Sequence, residues 1–282
     1  MEPDQRHRAD ACPAALISRE TGGVQTRSGA DITVRGDVVH KLHRPGTDPR
    51  ALRVRLRAAG RIDALVSPLS EVPDPVDGRW LTRWPRIETL AVQPESVPWV
   101  DIGRLLAALH AEPVTGRFPP HGWPARLRRA VERARRRGAP VVLRAAAGLP
   151  DVAWRPGSTD RPHRLVHGDF HLGQVGRRDG CWQLIDVDDL GLGDPAWDLA
   201  RPAGFWAAGF IPDADWLRFI DAYREAGGPA LPPGDPWPVL EPFARAAVIQ
   251  AAANDPDDDL LTAACARMPQ LEKNNRPNPC LR

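Results

Sequence analysis

The chain has 282 residues, 26% of them charged and 42% hydrophobic, with a formal net charge of +2. That length supports two lobes with a real core, and the charge balance gives no global field for nucleic acid or membrane. No apolar run approaches the ~20 residues a membrane span needs, and the polar, acid-bearing start MEPDQRHRAD is not a secretory signal.

The four cysteines, Cys12, Cys181, Cys265 and Cys280, show no CxxC spacing, so neither a zinc site nor a disulfide framework is expected. A reducing cytoplasm fits that usage. Lysine occurs only at positions 41 and 273, in a chain that otherwise writes arginine. A GC-rich coding sequence accounts for the bias, but it marks Lys41 as a candidate for specific chemistry.

In chain order, residues 1–13 read as a flexible N-terminus. From 14 to 88 the pattern is short and strand-like, forming a β-rich first lobe. Ile32 to Arg35, the turn Gly36-Asp37 and Val38 to His43 predict a hairpin with Val39, Lys41 and His43 on one face. A helix follows, with Asp48 as N-cap, Pro49 at the first helical position and Gly60 as the stop. Two further strands are predicted around Asp77-Gly78.

The lobe boundary falls near 84–95, and 89–268 reads as a larger helical lobe. Helices are predicted over 101–113, 125–138 and 141–150, then four more after Asp198. The Arg-rich helix from Arg126 to Arg137 reads as a solvated face, because its basic residues are not interleaved with aromatics. Trp206, Trp216 and Trp237 read as core packing in preference to an acceptor pocket. The acidic run DPDDD at 255–259 reads equally as an attractor of a cationic substrate such as an aminosugar and as acids at a helix start. The tail 269–282 reads as flexible.

The segment 165–200, LVHGDFHLGQVGRRDGCWQLIDVDDLGLGDPAWDLA, is the most informative. Asp179-Gly180 is a strong hairpin turn signal. A turn there sets Gln174 roughly opposite Ile185 and Asp186, where cross-strand Cα atoms lie ~4.5–5.5 Å apart. Asp169 lies just upstream, at the same end of the hairpin. Two carboxylates and an amide oxygen are hard donors that suit Mg²⁺. A carboxylate kept off the metal can take the proton of an attacking hydroxyl. Phosphoryl transfer also needs a cation on a strand of the small lobe, and Lys41 fits that place. Asp188 and Asp189 read as loop-solvated or capping acids, with Asp188 able to assist a metal. His171 reads equally as structural or substrate-facing.

The motifs H-G-D-x-x-x-x-Q (from His167), I-D-x-D-D (from Ile185) and G-D-P-x-x-D-L-A (from Gly193), in that order, resemble the aminoglycoside phosphotransferase and choline kinase-like family. LLAALH at 105–110 is a supporting match. HGDxHLGQ is also similar to the maltose kinase branch. The resemblance implies an α+β, bilobal protein-kinase-like fold with a small β-rich N-lobe and a larger helical C-lobe. It implies a small-molecule kinase that uses ATP and Mg²⁺, with GTP left open as donor and an antibiotic, sugar or amino alcohol hydroxyl as acceptor.

Residue by residue, Asp169 resembles the catalytic aspartate and His167 the histidine that holds the catalytic loop. Asp186 resembles the metal-binding aspartate. Gln174 stands where most of the family has Asn, one methylene longer. Asp198, with Asp194, resembles the acids that brace the loop, and Lys41 the phosphate-binding lysine. The adenine hinge is expected around Leu81 to Trp84 by chain order, with Leu81 and Arg83 at the nucleotide. A glycine-poor loop, Gly22, Gly23 and Gly29, stands in the phosphate-loop position. The helix after Asp48 offers no Glu for Lys41, which leaves Glu71 or Glu88 as partner.

Two other readings remain. The Gln174 exchange and the missing Glu are compatible with a catalytically inert kinase-like protein that binds nucleotide or ligand. His167, Asp169 and His171 form an HxDxH alternation that a metal-dependent hydrolase would use. No nucleic-acid or membrane partner is expected, and the sequence carries no signal for oligomeric state.

Overall fold

The computed structural model describes residues 24–26, 29–90 and 97–268. The N-terminus with Gly22 and Gly23, residues 27–28, residues 91–96 and the tail after Met268 lie outside the described residues. Strand β2 (Asp31–Arg35) and strand β3 (Val38–Leu42) form the predicted hairpin, with Ile32 opposite Lys41. β1 (Val24–Gln25) joins the β2 edge. Helix α1 (Pro49–Ala59) starts at Asp48, whose side chain accepts from the Arg50 N–H, and stops at Gly60. An N-cap carboxylate satisfies a backbone donor that the first turn leaves orphaned. Strands β4 (Asp74–Val76) and β5 (Arg79–Pro85) flank the predicted turn, and β5 pairs with β3. Among the described residues the sheet order is β1-β2-β3-β5-β4.

Strand β6 (Glu88–Thr89) leaves that sheet and pairs instead with the second lobe's hairpin, β8 (Val175–Arg178) and β9 (Cys181–Leu184). The hairpin register is the predicted one: Val175 faces Leu184 and Gly176 faces Gln183. Asp179 and Gly180 both have positive φ, at 49° and 83°. Two left-handed residues are what a two-residue turn between twisted strands requires. A second ribbon pairs β7 (Arg164–Val166) with β10 (Gly191–Gly193). The lobes also touch directly, since Leu184 exchanges backbone hydrogen bonds with Ala64 and Val66.

The helical lobe comprises α2 (Trp99–Ala111), α3 (Trp123–Arg137), α4 (Pro140–Ala147), α5 (Ala196–Ala207), α6 (Asp213–Glu225), α7 (Trp237–Asn254) and α8 (Asp259–Arg267). Its core is aromatic at the centre. Trp197 stacks on Trp123 with centroids 5.2 Å apart and meets Phe243 at 4.8 Å. Helices α5 and α7 approach closely at Gly204, where a Cβ would lie 2.5 Å from the Ala244 carbonyl oxygen. This packing holds the start of α5, and with it Asp198, against the loop that follows β7. Among the described residues no helix is long and apolar enough to cross a membrane.

Candidate active site

The loop 167–174 between β7 and β8 is braced from below. Asp198, fully buried, accepts from the backbone N–H of His167 (2.6 Å) and of Gly168 (3.0 Å). His110 on α2 holds the same carboxylate at 3.1 Å through Nε2 and meets the Tyr223 hydroxyl at 2.8 Å through Nδ1. Burial opposes ionisation of Asp198, but these hydrogen bonds win and hold its carboxyl below the ordinary range. Asp194 braces a different place: it accepts two bonds from Arg161 and one from the Ala196 N–H at the start of α5.

Gly168 turns the chain at φ 81°, and a Cβ there would lie 2.1 Å from the Asp189 carbonyl oxygen. Glycine permits both the left-handed backbone and the close approach. His167 is buried, with Nε2 2.8 Å from the Ile185 carbonyl oxygen. That contact, and the Ile185 N–H donating to the Gln174 carbonyl at 2.9 Å, join the loop to the segment carrying Asp186. Gln174 is buried at the end of the short turn Leu172–Gln174, beside Ile185, as the hairpin register requires.

Asp186 has φ 62°, a left-handed conformation rare outside Gly, and its side chain caps the turn Val187–Asp189. That turn aims Asp188 and Asp189 in different directions. Lys41 Nζ lies 2.6 Å from Asp186 Oδ1 and 2.8 Å from Asp188 Oδ2. Burial works against the Lys41 charge, and the two carboxylates overcome it, raising its pKa. Asp188 shifts the other way: Lys41 and His43 outweigh its burial and hold it well below the carboxylate range. His43 lies with Nδ1 3.4 Å from Asp188 and Nε2 2.9 Å from Thr82 Oγ1, which in turn accepts from the Trp84 indole at 2.9 Å.

Asp169 is 6% exposed and faces Arg126 of α3, whose Nη2 lies 2.6 Å from its Oδ2. Arg126 Nη1 reaches Asp189 at 2.7 Å. Burial pushes the Asp169 carboxyl up to about 6, against the pull of Arg126 and with Asp189 adding to the push. His171 is kept neutral, its pKa depressed by burial and by Arg201, Arg126 and His167.

Several expectations need correcting. Lys41 pairs with neither Glu71 nor Glu88. Glu71 lies 4.0 Å from Arg57, and Glu88 sits in β6. Helix α1 instead sends Arg55 to the Leu190 carbonyl at 2.8 Å. Asp188 and Asp189 are not loop-solvated: each is held by a cation. Leu81 and Arg83 lie inside β5 and not in a hinge. Their register opposite Leu42 and His40 puts them on the face away from Lys41, which shares its face with Thr82, and Arg83 is bound to Asp74. The lobe crossing comes later, between Pro85 and β6. Arg126 turns inward from a helix read as wholly solvated. The HxDxH residues build no metal-binding group among the described residues, His167 being bonded to Ile185 and Asp169 to Arg126.

Oxygen donors for a divalent cation do converge. Asp186 and Asp188 both reach one cation, the Lys41 ammonium, and the backbone carbonyl of Gln174 accepts from the Ile185 N–H next to Asp186. These residues fit magnesium by donor type and by the positive charge they already gather.

Residues 21–242 match the family model described as the phosphotransferase enzyme family. No curated protein matches the chain closely enough to serve as a relative. Among solved structures, a choline kinase from Cryptosporidium parvum superposes with a TM-score of 0.58 at 11% identity, over 89% of this chain and 88% of that one. An aminoglycoside phosphotransferase from Streptomyces rimosus gives 0.54 at 18% identity, over 81% and 92%. Spectinomycin phosphotransferase in complex with ADP and spectinomycin gives 0.51 at 16% identity, over 91% and 84%. The fold is that of these kinases, a small sheet-rich lobe and a larger helical one. By the extent of the match, the chain belongs to the phosphotransferase enzyme family.

Proposed function

We propose that the protein transfers the γ-phosphoryl group of ATP to a hydroxyl of a small molecule, an antibiotic, sugar or amino alcohol. The observation that carries this reading is Lys41. A strand of the small lobe delivers its buried ammonium to within 2.8 Å of two carboxylates of the large lobe, in a chain otherwise nearly free of lysine. A fixed cation held among oxygen donors where the two lobes meet is suited to hold nucleotide phosphates. The ADP held by the spectinomycin phosphotransferase neighbour supports the nucleotide as donor.

In this reading Lys41 binds the phosphates and Asp186, Asp188 and Gln174 hold magnesium. A bound magnesium ion would neutralise charge on the phosphates. His43 fixes Asp188, with Thr82 and Trp84 behind it. Asp169 orients the acceptor hydroxyl. Its oxygen bonds to the γ-phosphorus as the bond to the bridging oxygen breaks. ADP leaves, and the hydroxyl proton passes to Asp169. A carboxylate raised to about 6 is a stronger base than an exposed aspartate and stays mostly ionised at neutral pH.

Thermal shift with ATP and magnesium, followed by a mass-shift screen over aminoglycosides, macrolides, sugars and amino alcohols, tests the proposal. Stabilisation by nucleotide and one phosphorylated acceptor are expected. Nucleotide binding with no transfer to any acceptor, or to water, would favour the inert binding protein instead.

A further inference from the structure

Helix α3 enters the site at its first turn. Gly122, at its N-cap, packs so closely on Asp189 that a Cβ would lie 1.8 Å from Oδ1, and its N–H donates to the Asp189 carbonyl at 2.9 Å. Asp189 is thus fixed against the start of α3, and Arg126 emerges one turn later. The guanidinium spans two carboxylates, Asp189 at 2.7 Å and Asp169 at 2.6 Å. It meets Asp169 through Oδ2. Among the described residues no hydrogen bond engages Oδ1.

We propose that Arg126 is a positioning residue for phosphoryl transfer: anchored by Asp189, it clamps Oδ2 of Asp169 and leaves Oδ1 aimed at the acceptor hydroxyl. The inference rests on the phosphotransferase reading and adds a residue outside the three motifs. An arginine suits the task because its planar fork can hold two carboxylates at once, which a lysine ammonium does with less fixed geometry. The charged groups around Asp169 are Arg126 from α3, Arg201 from α5, and Asp186 and Asp189 from the loop after β9. Arg126 acts foremost of these against the burial of Asp169. Truncating it frees the carboxylate to rotate and removes its closest counter-charge. Misplacing a reacting group by about 1 Å costs about 10²-fold in rate.

The test uses ATP with magnesium as the only substrate, water serving as acceptor, so no small molecule need be identified. Phosphate release and ATP affinity are measured for the wild type, Arg126→Met, Arg126→Lys, Asp169→Asn and the double variant Arg126→Met/Asp169→Asn. Arg126→Met is expected to keep KM for ATP within about twofold and to lose about 10²-fold in kcat. Added methylguanidinium, below denaturing concentration, restores part of the loss. Arg126→Lys, which keeps the charge and the fold, loses less. The double variant is no slower than Asp169→Asn, because Arg126 acts through that carboxylate. Full turnover in Arg126→Met, or an added loss on top of Asp169→Asn, overturns the inference alone. A wild type that neither binds nor hydrolyses ATP overturns the phosphotransferase reading and this inference together.

Discussion

The Asp198 carboxylate accepts from the backbone N–H of His167 at 2.6 Å, linking the start of α5 to the loop that carries Asp169. Its partners, the Gly168 N–H and His110, are buried with it. Asp198→Ala strips these donors of their acceptor in a site closed to water. A loss of about 3–5 kcal/mol of stability is expected, as for other broken buried charge networks. Chemical denaturation of the variant checks the figure.

The same carboxylate gives stability a pH dependence. Its folded pKa lies below the ordinary value of 3.8. Its contribution is therefore full above the unfolded pKa and fades as pH falls through the folded one. Melting temperature of the wild type should fall in that acid range, and Asp198→Asn should flatten this part of the profile.

Gly168→Ala places a methyl group 2.1 Å from the Asp189 carbonyl and forces a left-handed alanine. The backbone conformation alone costs about 1–2 kcal/mol, and the clash adds to it. The loop must move to accept the methyl group, carrying Asp169 with it. Turnover is expected to fall further than thermal stability, and parallel kinetic and melting measurements separate the two.

Lys41→Met removes the ammonium that gathers Asp186 and Asp188. If Lys41 holds nucleotide phosphates by a charge-assisted hydrogen bond, ATP affinity should weaken about 10- to 100-fold. Calorimetric titration with ATP and magnesium measures it, and unchanged affinity would remove Lys41 from the nucleotide site.

Much of this arrangement was legible in the sequence, where local rules decide it. The Asp179-Gly180 turn and period-2 alternation set the β8–β9 register and so placed Gln174 beside Ile185. Asp48, Pro49 and Gly60 marked α1 because capping is local. What escaped was set by contacts distant along the chain. Asp186 takes a left-handed backbone and Asp188 reaches Lys41; aspartate tolerates that region better than most residues, but which acid of 186–189 adopts it is set by tertiary contacts. Which arginine of α3 faces inward depends on Gly122 docking on Asp189, some 67 positions later. The hinge was misplaced because chain order alone gives no strand parity: pairing with β3 puts Thr82, and not Leu81 or Arg83, beside Lys41.

Burial raises Asp169 to about 6, so its ionised fraction halves near that pH. Below it, kcat/KM should fall about tenfold per pH unit if this carboxylate takes the acceptor proton. The profile of phosphate release against pH checks this, and Asp169→Asn should lose the acid limb altogether.

The most direct measurement compares wild type with Asp169→Asn for phosphoryl transfer from γ-labelled ATP, alongside ATP affinity for each. The account predicts transfer by the wild type, a drop of about 10²–10⁴-fold in the variant, and ATP affinity nearly unchanged. Transfer at the wild-type rate by Asp169→Asn would contradict it.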